Sequence, residues 1–356
     1  MKILFITQKM DFNDDILGVY HNWVLKLAEK VDRVSVICLQ MGQYHLPANV
    51  SVFSLGKEEN LRFKSYQVIK FFEKLKYVFR FYGYIWWERK NYDAVFVHMN
   101  QEYVLLGGLF WRLRGKKIIL WRNHLKGNFL TRMAVWLSNI VFCTSPFSYT
   151  AKFKKTKIMP VGTDMDFFKV DYGIKRQSDS ILSIGRISPV KNIGVLLKAA
   201  ALLKKEKIDF HLSIYGPVAP KDKEYFNDLK ILASQNNLSE DIWQRGVPYI
   251  EIPRIYSANE IFVNLTPAGS FDKMIIEAMA SGCLTLVCNG SLKGEIDDLF
   301  IFKEGNAADL AKKIKKIMSL PVVEKNNYQR KLRKYAMERH GLDKLINKIL
   351  EELEKL

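Results

Sequence analysis

Ser183-Ile184-Gly185-Arg186-Ile187-Ser188-Pro189-Val190-Lys191-Asn192 joins two kinds of sequence. Residues 181–184, leading into it, form a short apolar run of strand type, and 193–203, following it, carry apolar residues at helical spacing. Similar runs recur at 210–215, 261–265 and 284–288, with longer amphipathic stretches between them. A crossover helix is what joins parallel strands, so this alternation predicts a parallel sheet covered on both faces. Upstream, runs at 2–7, 34–39, 94–98, 117–121 and 140–143, with a helical pattern over 20–30, predict a first unit of the same kind. The polar stretch 164–180 separates the two. The expected architecture is α/β, with two Rossmann-like doubly wound domains facing across a cleft: 1–165, 166–335 and a C-terminal helix over 336–356. That helix carries a stripe of Leu345, Ile346, Ile349, Leu350 and Leu353 and is expected to pack on the first domain.

A length of 356 residues suits two domains better than one. Neither first strand is followed by a G-x-G-x-x-G turn, which disfavours a nicotinamide or flavin enzyme. Cys38, Cys143, Cys283 and Cys288 are scattered among apolar residues without metal-ligand spacing, so they read as core residues in a reducing cytosol, and no structural zinc is expected. MKILFIT at the start is strand-like rather than a signal peptide, and no run reaches the roughly 18 apolar residues of a membrane span. A cytoplasmic protein is expected. The formal charge of +18, from 55 Lys+Arg against 37 Asp+Glu, points to an anionic partner.

Chemistry concentrates after the 181–184 strand. Gly185 permits a sharp turn, and Arg186 and Lys191 stand at a strand-to-helix loop where a diphosphate would approach. The segment 183–192 resembles the phosphate-binding stretch of retaining family 4 (group 1) glycosyltransferases, which have the GT-B fold. The resemblance implies that Arg186 and Lys191 offset charge developing on a leaving nucleoside diphosphate, with no metal or other cofactor. A second block, 256–282, resembles the same family's donor signature. There a Glu opens the loop and a second stands eight positions later on the helix. Here the second is Glu277 but the first position is Gly269. The resemblance assigns ribose binding to Glu277 and leaves the sugar contact to Asp272 or Lys273. Backbone N–H groups around Phe271–Met274 are expected to receive phosphate oxygens.

Gly216-Pro217 and Gly246-Val247 stand where the family narrows around the nucleotide. Pro160-Val-Gly-Thr-Asp164 resembles its interdomain turn. In the first domain, His124 follows a strand where related enzymes carry a His near the reacting sugar, so His124, Arg186 and Lys191 are the catalytic candidates. Gly18, in the loop before the first helix, and His98, ending the 94–98 strand, are acceptor-side candidates.

Between Arg62 and Lys90 aromatic residues are interleaved with lysines, and Val68, Phe72, Leu75, Phe79 and Tyr82 fall on one helical stripe. This stripe is read as the buried face of a helix, with surplus charge left for an anionic membrane surface. The expected activity moves a sugar from a UDP- or GDP-sugar to a lipid-linked or glycan hydroxyl, at the inner face of the membrane. A sugar-nucleotide epimerase and a non-catalytic binding protein are the alternatives. Nucleic acid is disfavoured because no recognised binding motif is present.

Overall fold

The computed structural model describes residues 1–14, 17–60, 67–268 and 271–356. They divide into two compact units, Met1–Gly162 with Leu342–Leu356, and Thr163–Gly341. The break falls within the 160–164 turn.

In the first unit β1 (Lys2–Met10), α1 (Val19–Ala28), β2 (Arg33–Met41), β3 (Val50–Ser54), α2 (Gln67–Trp87), β4 (Ala94–His98), α3 (Gln101–Leu113), β5 (Lys117–Trp121), α4 (Phe129–Leu137), β6 (Ile140–Cys143) and β7 (Thr156–Ile158) follow one another. The strands lie parallel in the order β3-β2-β1-β4-β5-β6-β7. Alternation along each strand divides the side chains between two faces. Leu4 and Ile6 of β1, Val95 and Val97 of β4, and Ile118 and Leu120 of β5 share one core with Phe81 and Ile85 of α2, Val104 and Trp111 of α3, and Val135 of α4. On the other face Phe5 stacks on Phe96 at 5.2 Å, and Trp23 of α1 meets Trp121 edge-on at 4.9 Å.

The second unit contains β8 (Gln177–Ile184), α5 (Ile193–Lys205), β9 (His211–Tyr215), α6 (Lys223–Gln235), β10 (Trp243–Gln244), α7 (Ile252–Ala258), β11 (Asn259–Asn264), α8 (Lys273–Ala280), β12 (Leu284–Val287), α9 (Ala307–Met318) and α10 (Val322–His340). Its parallel order is β10-β9-β8-β11-β12. Both sheets reverse their winding beside their first strand, between β1 and β4 and between β8 and β11. Such a switch point leaves a crevice at the carboxyl ends of the strands, where ligands bind in folds of this type. Among the described residues no helix is long and apolar enough to cross a membrane.

Three expectations change. β8 begins at Gln177, inside the stretch read as a linker, and the division expected at 335/336 falls within α10. On α2 it is Phe81 and Ile85 that are buried, whereas Phe79 and Tyr82 of the expected stripe are exposed. The sheet decides which of two apolar stripes faces inward. Residues 62–66, and the side chains of Val68 and Phe72, lie outside what the structure describes.

The last helix, α11 (Leu342–Glu354), belongs to the first unit and buries Leu345, Ile346, Ile349 and Leu353. Lys117 Nζ donates to the Leu353 carbonyl at 2.9 Å, and Lys348 Nζ to that of Ile158 at 2.9 Å. Trp23 Nε1 donates to the Gly162 carbonyl at 2.9 Å. Gly162 adopts φ +78°, and a Cβ there would come 2.2 Å from Leu345 Cδ2. Gly162→Ala therefore combines left-handed strain with a clash against α11. It should lower stability by about 1–3 kcal/mol, read from denaturant unfolding.

Candidate donor site

The loop after β8 and the loop after β11 meet at the switch point of the second sheet. Gly185 leaves β8 with φ +139°, a region closed to side chains, and a Cβ there would touch Lys191 Cε and Met274 Sδ at 3.4 Å. Gly216, just after β9, comes so close that an added Cβ would stand 1.9 Å from the Gly185 carbonyl oxygen. Two glycines thus let two strand ends lie in contact. Arg186 is exposed beside them. Gly185, Lys191, Asn264 and Thr266 are among the residues lining a small pocket at this point.

Lys191 lies at the end of a short turn after Ser188, and Asn192 then takes a left-handed conformation that starts α5. Its ammonium pairs with the Asp272 carboxylate and donates to Thr266 Oγ1 at 3.2 Å. Asp272 is the N-cap of α8, accepting the Met274 N–H at 3.3 Å through Oδ1. Its Oδ2 also accepts from Asn264 Nδ2 at 3.0 Å and Thr266 Oγ1 at 2.9 Å. Burial alone would raise this carboxyl. The Lys191 charge and these hydrogen bonds outweigh burial and hold it well below the usual carboxylate range. Asp272, read from sequence as a replacement for the sugar contact at position 269, is committed to Lys191 and the helix cap. The Met274 N–H expected to meet a phosphate already has this carboxylate. Gly269 itself lies outside the described residues.

Glu277 sits one turn further along α8, almost wholly buried, with the Tyr256 phenol as a neighbouring donor but no well-formed hydrogen bond to either oxygen among the described residues. Burial, reinforced by Asp272 and opposed by Lys273, Lys191 and the Tyr256 phenol, pushes its carboxyl up to about 7. The Tyr256 phenol is also raised, first by burial and then by Glu277. A buried carboxyl without a partner is costly, and a ligand hydroxyl is one way to satisfy it. Phe271 is buried against His340, with ring centroids 5.2 Å apart, and Lys273 lies over the Tyr249 ring at 5.7 Å. Val247 is half-buried in the loop after β10.

The first-unit candidates have their own surroundings. Gly18 closes the loop before α1, where a Cβ would stand 2.6 Å from the Asp14 carbonyl oxygen. Residues 15 and 16 of that loop lie outside the described residues. His98 is buried among Tyr20 (3.9 Å), Trp23 (5.7 Å) and Phe5 (6.3 Å), with Thr7 Oγ1 at 3.4 Å from Nδ1. His124 is exposed after β5, and its Nδ1 is 2.9 Å from the Lys126 carbonyl oxygen. The structure therefore brings together Gly185, Lys191, Gly216, Asp272 and Glu277. It adds Asn264 and Thr266, which no local sequence pattern marks.

Residues 164–339 match the family model described as glycosyl transferases group 1. The C-terminal unit is a group 1 glycosyl transferase domain. Over 147 residues the chain is 29% identical to the D-inositol 3-phosphate glycosyltransferase of Pseudarthrobacter chlorophenolicus, a match covering 38% of this chain and 34% of that protein. The matched stretch thus spans about a third of the curated relative's length. Among solved structures, Anabaena HepE in complex with UDP and glucose aligns over all of both chains with a TM-score of 0.75 at 18% identity. Sucrose-phosphate synthase of Thermosynechococcus elongatus aligns with a TM-score of 0.78 at 15% identity, covering 100% of this chain and 99% of that one. The two-unit α/β fold is that of the GT-B glycosyltransferases.

In this glycosyl transferase domain the two carboxyls respond oppositely to pH. Glu277, raised from 4.5 to about 7 in the folded chain, keeps its proton after the unfolded chain has lost one. Its contribution is complete below pH 4.5 and fades as pH rises to about 7. Asp272, depressed, contributes stability that is lost only as pH falls below the ordinary carboxylate range. Glu277→Gln should flatten the pH 4.5–7 decline and be more stable than wild type at pH 8 by about 1–3 kcal/mol. Unfolding curves across pH check this, and parallel declines in both proteins would refute the assignment.

Proposed function

We propose that the protein transfers a sugar from a nucleoside diphosphate sugar to an acceptor hydroxyl with retention of configuration. The observation that carries this reading is Glu277, a carboxyl buried on α8 beside the Tyr256 phenol, within electrostatic reach of Lys191 and Asp272, and without a well-formed hydrogen bond among the described residues. A ribose hydroxyl donates to the Glu277 carboxylate in this reading. Arg186 and Lys191 face the diphosphate and stabilise the charge that grows as the anomeric C–O bond breaks. The acceptor oxygen bonds to the anomeric carbon, and its proton passes to the leaving phosphate oxygen on the same face. The reading uses the lysine and arginine as its cations and assigns no step to a metal.

UDP-sugars are the first donors to try, because HepE is described in complexes with UDP and with UDP-glucose. A role in cell-surface glycan synthesis draws support from the lipopolysaccharide outer core galactosyltransferase WaaB, which shares the fold with a TM-score of 0.64 at 12% identity. The acceptor in this reading is a glycan or lipid-linked sugar reached from the cytoplasmic side, with the protein held peripherally on an anionic membrane. A binding protein without turnover is the second reading, favoured by the commitment of Asp272 to Lys191.

Thermal-shift measurements with UDP-, GDP- and ADP-sugars test the donor site. One nucleotide class should raise the melting temperature, and Arg186→Ala and Glu277→Ala should each weaken its binding by about tenfold or more. No shift with any nucleotide sugar would remove the proposal. Binding without sugar release, with or without added hydroxyl acceptors, would favour the second reading.

A further inference from the structure

The positive charge is not spread along the chain. Residues 103–163 contain 11 Lys and Arg and no Asp or Glu. This stretch includes most of α3 and all of α4, which with α2 cover one face of the first sheet, since all three contribute to the same core against it. Their outward sides carry large apolar groups. Leu113 is 80% exposed, Phe129 71%, Trp136 66% and Leu109 62%.

Aromatic rings on the same side, Trp136 among them, are covered by arginines. Trp86 of α2 meets Phe110 of α3 with ring centroids 6.2 Å apart, and the Arg114 guanidinium lies over both, at 4.8 and 4.6 Å. Arg89 covers Trp86 at 4.4 Å. Across the α3–α4 seam, Arg112 lies 5.3 Å over Trp136 and donates to its carbonyl at 3.2 Å. Soluble surfaces carry isolated apolar residues, whereas a joined patch marks an interaction site. Exposed Trp and Phe, aliphatic side chains beyond them and arginines stacked on the rings match the boundary between lipid headgroups and acyl chains. A nucleic acid would use the rings and cations but has no need of Leu109 and Leu113.

We infer that the outer face of α2, α3 and α4 is a docking surface for an anionic lipid bilayer, with Leu113 and Trp136 entering the acyl boundary and Arg112 and Arg114 meeting headgroup phosphates. The inference rests on the peripheral membrane association proposed above and names its surface. It is independent of the nucleotide site.

The 356-residue chain is sedimented with phosphatidylcholine vesicles and with vesicles containing about a third phosphatidylglycerol. Wild type should bind the anionic vesicles at least about tenfold more tightly than the neutral ones. Leu113→Glu/Trp136→Glu, at exposed positions, should lose that binding about tenfold or more while keeping the wild-type melting temperature and nucleotide-sugar shift. Lys312→Gln/Lys316→Gln on α9 removes the same net charge and should bind nearly as wild type. The surface is overturned if wild type ignores anionic vesicles, if the double glutamate variant still binds them, if the α9 variant loses as much, or if single-stranded RNA displaces wild type from vesicles while the glutamate variant keeps its RNA affinity. A lost nucleotide shift with vesicle binding intact would instead count against the donor reading alone.

Discussion

The Lys191 ammonium and the Asp272 carboxylate fasten together two loops that the chain delivers from opposite sides of the sheet's switch point. Asp272 also caps α8 and collects hydrogen bonds from Asn264 and Thr266, so one carboxylate fixes the end of β11, the start of α8 and the turn after β8. A buried ion pair is tolerated when further hydrogen bonds support it, and here Thr266 accepts from Lys191 while Asn264, Thr266 and the Met274 N–H donate to Asp272. The close passage of Gly216 past the Gly185 carbonyl belongs to the same constraint. It leaves the β8 and β9 ends only one arrangement, with Arg186 at the surface and Lys191 turned inward.

Much of this architecture was legible because buried parallel strands read as continuous apolar runs. The strands that escaped notice were β3, β7 and β10. β7 has three residues and β10 two, and all three lie at sheet edges, where one side of the ladder is unpaired and the apolar run is broken. On α2 the difficulty was different. Phe79 and Tyr82 lie on one helical stripe, Phe81 and Ile85 on another, and spacing alone weighs them equally. Only the position of the sheet selects the second pair.

At the site, Gly185, Arg186, Lys191 and Glu277 stood out because a turn, a pair of cations and a carboxylate on an apolar helix are local signals. Asn264 and Thr266 carry no such mark, since they stand at and just after a strand end like many other polar residues. Asp272 illustrates the limit most clearly. Its spacing within the 256–282 block suits a sugar contact as well as a helix cap, and the deciding partner, Lys191, lies 81 positions away. Sequence reading finds such groups but not their allegiance.

That allegiance bears on the proposed chemistry. Because Asp272 already neutralises Lys191, the pair presents no net charge to a diphosphate, whereas the exposed Arg186 pairs with no carboxylate among the described residues. Nucleotide binding in the proposed reading must then either rely on Arg186 first or draw Lys191 partly away from Asp272. The second course has a local cost, because Asp272 would keep only its hydrogen bonds from Asn264, Thr266 and Met274. It also has a local return: weakening the lysine's hold on Asp272 brings positive charge toward the phosphate, where the departing group needs it most. Glu277, accepting at the same moment from a ribose hydroxyl, would gain a hydrogen bond that favours its ionised form against the burial that now raises it. The two buried carboxyls of α8 thus contrast among the described residues, one held by four donors and one without a well-formed hydrogen bond, and a nucleotide sugar is the kind of ligand that redistributes both.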